Sequence, residues 1–470
     1  MSFVTVSFLI FVVSFLCLFY IIKKKWRWLV ILLASYVFYA SEEPFFIVLL
    51  IISTLVDFLC GLQLNKTNKK HYKKIYLAIS IVINLGLLIG YKYIDFIKQI
   101  IFNGSSIFDY QGFHNDADFI IPIGISFYTF QTLSYTIDLY RNKISVERHL
   151  GHFAVFVSFF PQLIAGPIER SSKILPQIKN FTNINFKNII LFEATGLIIW
   201  GLFKKILIAD RIGMLVDKIY DSPSDFSSFT LLFSGILFMI QIYCDFSGYT
   251  LIARGTAKLF GIELSLNWNY PLFQSSFKQF WINWHMTLSK WFKDYIYIPL
   301  GGSRNNMARW SISILLVFFI SGLWHGANIT FIVWGLLNAI FLILERIISI
   351  PKTFKILNFL KWLFVFTSCG LFFISFRANS LADLQLIIYK ILTFDFYIIK
   401  DYITFDMWIA SHIINIILIS IFFIIELVHF IKKLKLENYF ITNPNIQVIF
   451  LLLVLLLGEF QNKPFIYFQF

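Results

Sequence analysis

The sequence predicts an all-helical, polytopic membrane protein of about 11 to 13 membrane segments, several of them short or re-entrant, and three observations carry that reading. The chain of 470 residues is 58% hydrophobic and only 14% charged, with a mean hydropathy of +0.74; a soluble core does not hide that much apolar surface. Apolar runs near the length needed to cross a bilayer, about 20 residues, recur along the whole chain. The charges cluster between those runs, and the period-2 alternation of a transmembrane barrel is absent.

The runs fall at about 3–22, 28–40, 45–62, 75–94, 119–139, 188–209, 229–250, 310–328, 330–349, 358–376, 409–430 and 446–459. The first, Met1 to Ile22, lacks a basic leading region and a small-residue cleavage site, so it is expected to be a retained helix and not a leader. Lys23, Lys24, Lys25 and Arg27 follow it. Lys66 to Lys74, Arg141 to Arg148, and Lys432 to Lys435 are the other basic loops. The positive-inside rule places all four in the cytoplasm. Glu42-Glu43-Pro44 and the loop 103–118 carry no Lys or Arg and fall outside. Both termini are then external, in a multi-pass protein of the cytoplasmic (inner) membrane. The net charge of +14 reads as an orientation signal and not as a nucleic-acid footprint.

Pro161, Gly166, Pro167, Pro271, Pro299, Gly301 and Gly302 interrupt the middle of the chain. Broken backbone at membrane depth is tolerated where it is buried in protein or lines a cavity. The expected organisation is one domain over 1–470, with N-terminal helices at 1–150, a catalytic core at 151–350, and C-terminal helices plus an aromatic tail at 351–470. Cys17, Cys60, Cys244 and Cys369 all sit in apolar segments without metal-ligand spacing, which predicts free, buried thiols and no metal.

His325 carries the strongest chemical signal. It lies in Ser321-Gly322-Leu323-Trp324-His325-Gly326-Ala327-Asn328, inside an apolar run. Ionisable groups at that depth are costly and usually face a cavity or pathway. A neutral imidazole accepts a hydroxyl proton near neutral pH; the alternative is an interhelical hydrogen bond to Asn328 or Asn338. His285 lies in FWINWHMTLSKWFKDYIYIPLGG, from Phe280 to Gly302. Trp281, Trp284, His285, Leu288, Trp291, Phe292 and Tyr295 recur at three- and four-residue steps, which predicts one continuous amphipathic helix. That pattern fits an interfacial aromatic belt or a functional histidine. Lys290, Lys293 and Arg304 would either orient the chain or bind an anionic ligand at the cytoplasmic mouth. Asp245 would hold a histidine or Arg254, or form a buried structural ion pair. Glu193 and Glu345 are the other acidic groups within apolar runs.

Four blocks resemble the membrane-bound O-acyltransferase (MBOAT) family, in its bacterial branch of alginate and peptidoglycan O-acetylation proteins. They are FPQLIAGPI from Phe160 to Ile168, YCDFSGYTLIARGTAKLFGI from Tyr243 to Ile262, FWINWHMTLSKWFKDYIYIPLGGSR from Phe280 to Arg304, and SGLWHGA from Ser321 to Ala327. Phe376-Arg377-Ala378 and the terminal Phe465 to Phe470 add to the match. The resemblance implies that His325 is the catalytic histidine, that His285 is the second histidine of this branch, and that both sit near a tunnel with Trp324, Asp245, Asn328 and Trp284 in support. It implies a fold of about 11 to 13 tilted and re-entrant helices around a central tunnel, a cytoplasmic acetyl-CoA donor, no bound cofactor, and an external glycan acceptor reached through an extracytoplasmic SGNH-type O-acetyltransferase. Peptidoglycan is the expected acceptor; alginate or another exopolysaccharide, D-alanyl transfer to teichoic acid, and a transporter are the alternatives. Tyr467, on the terminal aromatic tail, is either a transient acyl carrier or an interface anchor.

Overall fold

The structure is a computed structural model and describes residues 1–42, 44–102, 122–164, 166–186, 191–304, 306–348, 355–394, 413–432, 443–458, 460 and 465–466. Tyr467, the polar break 461–464 and the whole loop 103–118 lie outside the described residues.

Every regular element among the described residues is helical. The N-terminal part comprises α1 (Val6–Ile21), α2 (Arg27–Ala40), α3 (Ile47–Lys66), α4 (Lys70–Lys92), α5 (Ile94–Phe102) and α6 (Ile125–Tyr140). The middle comprises α7 (Leu150–Ser158), α8 (Phe160–Leu163), α9 (Ser171–Lys179), α10 (Leu191–Leu202), α11 (Asp210–Asp221), α12 (Ser228–Leu259), α13 (Phe277–Asn283) and α14 (Met286–Phe292). Then follow α15 (Met307–His325), α16 (Ile329–Ile347), α17 (Lys355–Arg377), α18 (Leu381–Thr393), α19 (Ile413–Ile431) and α20 (Pro444–Leu457).

Seven of these are long and apolar enough to cross a membrane: the helix through α3, then α4, α12, α15, α16, α17 and α19. α1 and α20 are apolar but shorter, and several others are broken or brief, as the irregular middle of the sequence predicts. Of the apolar stretch of α12, 78% is buried inside the protein, against 17% for α4. α12 is therefore the axis of the fold, and α4 is peripheral. Glycines set how closely neighbours approach that axis. A Cβ on Gly201 of α10 would stand 2.6 Å from the carbonyl oxygen of Gly248 on α12, so the two backbones touch there. α15 and α16 cross in the same way. A Cβ on Gly322 would run into the carbonyl of Phe331, and one on Gly335 into the carbonyl of Phe318.

A buried polar network ties α3, α4 and α6 together. Asn84 donates to Asp57 at 2.9 Å, Thr136 donates to Asp57 at 3.0 Å, and Ser80 also donates to Asp57. Ser53 donates to the side-chain oxygen of Asn84 at 2.6 Å. In a membrane protein such bonds replace water for the backbone and side chains alike.

Between α10 and α11 the helix widens to a π-type turn at Phe203–Ala209. The change of pitch lets two consecutive lysines point inward. Lys204 pairs with Glu426 at 2.7 Å, and Lys205 pairs with Asp245 at 2.5 Å and Asp210 at 2.8 Å. Asp245 is thus in a buried ion pair, with Lys205 as its partner.

Two expectations are corrected. The single amphipathic helix through His285 is two short helices, α13 and α14, with His285 at the break in a left-handed conformation, φ 42° and ψ 56°. Cys17 is exposed on the outer face of α1, whereas Cys60, Cys244 and Cys369 are buried; all four are free.

Candidate active site

The break at His285 is built by tertiary hydrogen bonds. The amide of Met286 donates to the carbonyl of Asn267 at 2.8 Å, and the amide of Thr287 donates to its side-chain oxygen at 3.1 Å. Asn269 bonds Asn283 on the other side of the break, amide to carbonyl at 3.1 Å and side chain to side chain at 2.8 Å. A helix leaves its first N–H groups without internal partners, and its own N-cap side chain normally takes one. Here His285 holds the N-cap position but makes no capping bond; Asn267 takes that role from outside. A positive φ is uncommon for a residue with a Cβ and recurs at functional sites. Thr287 also accepts from the amide of Ile168 at 3.0 Å, which brings the Phe160–Ile168 block against the His285 block.

The imidazole of His285 is 1% exposed, and neither ring nitrogen has a hydrogen-bond partner among the described residues. Its neighbours are aromatic: Phe246 at 4.7 Å between ring centroids, Trp268 at 5.9 Å and Trp324 at 6.0 Å. A buried polar ring without protein partners is costly, and it marks the side chain as aimed at something other than the protein.

His325 is the last residue of α15, immediately before the extended Gly326. Its ring sits 5.0 Å from that of Trp324, 5.0 Å from Trp334 and 5.2 Å from Phe376. Trp324 therefore touches both histidines. Phe376, from the Phe376-Arg377-Ala378 block that adds to the match, packs directly on the His325 ring.

Both histidines line one cavity of about 1110 Å³. Its inner wall includes Trp281, Trp284 and Phe318, and its rim carries Lys173, Lys278, Lys290, Lys293 and Arg346 against the carboxylates Asp294 and Glu345. Five cations facing two carboxylates make an entrance that favours anions. Of the predicted anion-binding residues, Lys290 and Lys293 line this cavity, and Arg304 lies exposed beside it next to the lining residue Ser303. Lys173, Lys278 and Arg346 were not singled out from the sequence, because they come from separate segments that only the fold assembles. Glu345 accepts from the amides of Phe277 at 3.0 Å and Lys278 at 2.9 Å, which caps α13 from α16. Burial pushes the nearby Glu169 carboxyl above its usual range, with Lys173 acting in the opposite sense.

The remaining predicted residues stand behind this wall. Asn328 caps α16 through the amide of Thr330 at 3.1 Å and donates to the carbonyl of Asn379 at 3.1 Å. Asn338 donates to the carbonyl of Trp334 at 2.8 Å, within its own helix. Glu193 pairs with Lys258 at 2.5 Å. Asp245 faces Lys205 and accepts from the amide of Ile466 at 2.8 Å. Phe465 packs on Phe246 at 5.3 Å and Tyr249 at 4.6 Å. Phe246 in turn covers His285 at 4.7 Å, so Phe465 is one aromatic ring away from that histidine.

Residues 141–376 match the model of the MBOAT, membrane-bound O-acyltransferase family. The chain is 36% identical over 385 residues to a peptidoglycan O-acetyltransferase of Helicobacter pylori, covering 75% of this chain and 71% of that protein. It is 34% identical over 373 residues to the probable alginate O-acetylase AlgI of Pseudomonas aeruginosa, covering 79% and 71%. A teichoic acid D-alanyltransferase of Bacillus subtilis is more distant, 27% identical over 242 residues and covering 49% and 60%. With a helical membrane fold, an anion-favouring entrance and two histidines on one cavity, the chain belongs to the membrane-bound O-acyltransferase family and is an acyltransferase.

Proposed function

We propose that the protein takes acetyl groups from cytoplasmic acetyl-CoA and passes them across the membrane for O-acetylation of peptidoglycan, with His325 as the general base. The observation that carries this reading is the single cavity that runs from a basic rim to both imidazoles. The donor's phosphates suit that rim, with Lys290 and Lys293 in contact and Arg304 adding to the field outside it. The rim's sidedness agrees with the charge pattern of the loops: Arg141 donates to the carbonyl of Asp294 at 3.0 Å, so the rim lies beside the basic loop 141–148. The positive-inside rule assigns that loop to the cytoplasm.

In the transfer step His325 takes the proton of the attacking hydroxyl while its oxygen adds to the thioester carbonyl. The carbon–sulfur bond then breaks, the ester remains, and the imidazolium returns its proton to the departing thiolate. His285, whose ring nitrogens are unpartnered among the described residues, donates to the developing oxyanion or orients His325. A phenol at Tyr467 is the proposed first acceptor. The adjoining Phe465 and Ile466 are held beside Phe246, which supports a tail that reaches the site. The serine of an SGNH-type partner outside the membrane then attacks the tyrosyl ester, taking the acetyl group and regenerating the phenol. No cofactor beyond the donor is required.

Peptidoglycan is preferred over alginate because the H. pylori relative is named for it at 36% identity; the 34% identity to AlgI keeps an exopolysaccharide as the second reading. The test is transfer from acetyl-labelled acetyl-CoA by the purified protein. His325→Ala is expected to lose about 10²- to 10⁴-fold, with label appearing on the C-terminal peptide of the wild type. Full transfer by His325→Ala overturns the assignment of the base. Acetyl-ester content of sacculi with and without the gene decides the acceptor.

A further inference from the structure

We infer that Lys92, on a peripheral helix outside the family-matched region, is a positioning residue for His325. The buried positions of α4 are Ser80, Asn84, Leu88 and Lys92, each four residues from the next, so they form one stripe along the helix. The first two bond into the Asp57 network with α3 and α6. The last reaches the catalytic helix. The Lys92 ammonium donates to the carbonyl of Trp324 at 2.8 Å and to that of His325 at 3.1 Å. The next residue, Tyr93, donates to the carbonyl of Leu323 at 2.7 Å.

Those three carbonyls are the ones a helix end leaves without internal partners. Because α15 stops at His325 and the chain continues extended through Gly326, something else must satisfy them. Lys92, the last residue of α4, and Tyr93, which follows it, satisfy all three. A cation is the favourable donor at a helix C-terminus, and charge-assisted bonds are roughly twice as strong as neutral ones. Among the described residues Lys92 forms no ion pair with a carboxylate, and it is 6% exposed. Desolvating a lysine to bond two carbonyls is expensive, and a neutral donor would cap the helix at lower cost. The two bonds therefore do more than fill a gap: they fix the peptide units on both sides of the His325 Cα, and with them the direction in which the imidazole enters the cavity. Lys92 is not among the residues lining that cavity, so it acts through His325 and not on the donor. α4 is thus a strut, footed in the Asp57 network and braced against the catalytic helix.

The inference rests on the reading of His325 as the base, and the experiment separates the two. Full-length Lys92→Met, Lys92→Gln, Lys92→Arg and Tyr93→Phe are assayed with acetyl-labelled acetyl-CoA, beside His325→Ala. Lys92→Met is expected to lower kcat about 30-fold or more while the KM for acetyl-CoA moves less than about threefold. Lys92→Arg, which keeps charge and donors, is expected to restore most of the rate. Tyr93→Phe, which removes one neutral bond, is expected to lower kcat about threefold. Lys92→Gln and Tyr93→Phe carry the test if Lys92→Met does not fold. If His325→Ala is inactive while Lys92→Gln keeps kcat within about twofold of wild type, the inference about Lys92 fails alone. If the Lys92 variants lose rate through KM, the strut is overturned in favour of donor binding. If His325→Ala is active, the reading of the base fails first, and the positioning role falls with it.

Discussion

The main-chain amide of Ile466 donates to Oδ2 of Asp245 at 2.8 Å, while Lys205 holds the other oxygen of the same carboxylate at 2.5 Å. Ile466 is thereby fixed to the middle of α12 through one buried ion pair. Lys205 is shared by two carboxylates, Asp245 and Asp210, so its removal and theirs are unequal. Lys205→Met takes the shared cation from two buried carboxylates, which is expected to cost about 3–5 kcal/mol. Asp245→Asn leaves Lys205 with Asp210 and keeps an acceptor for Ile466, so it is expected to cost less, about 1–3 kcal/mol. Thermal unfolding in detergent reads the order. Asp245→Ala is expected to speed trimming of the C-terminus by a carboxypeptidase, since Ile466 loses the acceptor of its main-chain amide.

Asn267 holds the break that presents His285. Its carbonyl and side-chain oxygen take the amides of Met286 and Thr287, which frees the imidazole from capping its own helix. Asn267→Ala is expected to destabilise the protein by about 1–2 kcal/mol and to lower kcat about tenfold. The two effects are read by unfolding and by transfer from labelled acetyl-CoA. A variant as active as wild type but less stable would confine Asn267 to a structural role.

The crossing of α15 and α16 leaves no room for a side chain at Gly322 or Gly335, each of which faces a carbonyl of the other helix. Gly335→Ala and Gly322→Ala are each expected to cost about 1–3 kcal/mol through overpacking. The double variant is expected to be less than additive, because the first methyl already separates the helices for the second. Melting temperatures of the three proteins check this. Activity should fall with them, since Trp324 and His325 ride on the displaced end of α15.

Much of the fold was legible because the bilayer constrains it so strongly: α12, α15, α16, α17 and α19 fall where the apolar runs placed them. The break at His285 was not. Trp284, His285 and Met286 are unremarkable helix formers, and the left-handed turn is imposed by Asn267 and Asn269 from another segment. The inward turn of Lys204 and Lys205 was also hidden, since at ordinary α-helical pitch two successive residues point about 100° apart and only the π-type turn brings both inside. His285 and His325 were legible as candidates because ionisable residues are rare at such depth. Of the residues that position them, Asn267 carries no local signal of its own, and Lys92, though it lies in the apolar run 75–94, gives no sign of which helix it meets. Each matters through main-chain groups it meets in space, and spacing along the chain does not report that.

The rim of the cavity gives a prediction of a different kind, in binding and not in stability. Lys290 and Lys293 line the entrance with Lys173, Lys278 and Arg346, and an anionic donor feels their summed field more than any one contact. Lys290→Ala and Lys293→Ala are each expected to raise the KM for acetyl-CoA about three- to tenfold, with kcat little changed, as befits groups that meet the donor equally in the ground and transition states. The double variant is expected to lose more, and to be less sensitive to salt than wild type, because fewer charges remain for ions to screen. Arg304, exposed beyond the lining residues, is expected to shift KM by less than about twofold when changed to Ala. Initial rates across a donor titration, repeated at low and high ionic strength, check all four. A fall in kcat at unchanged KM in Lys290→Ala or Lys293→Ala would move those lysines from the entrance into the transfer step itself.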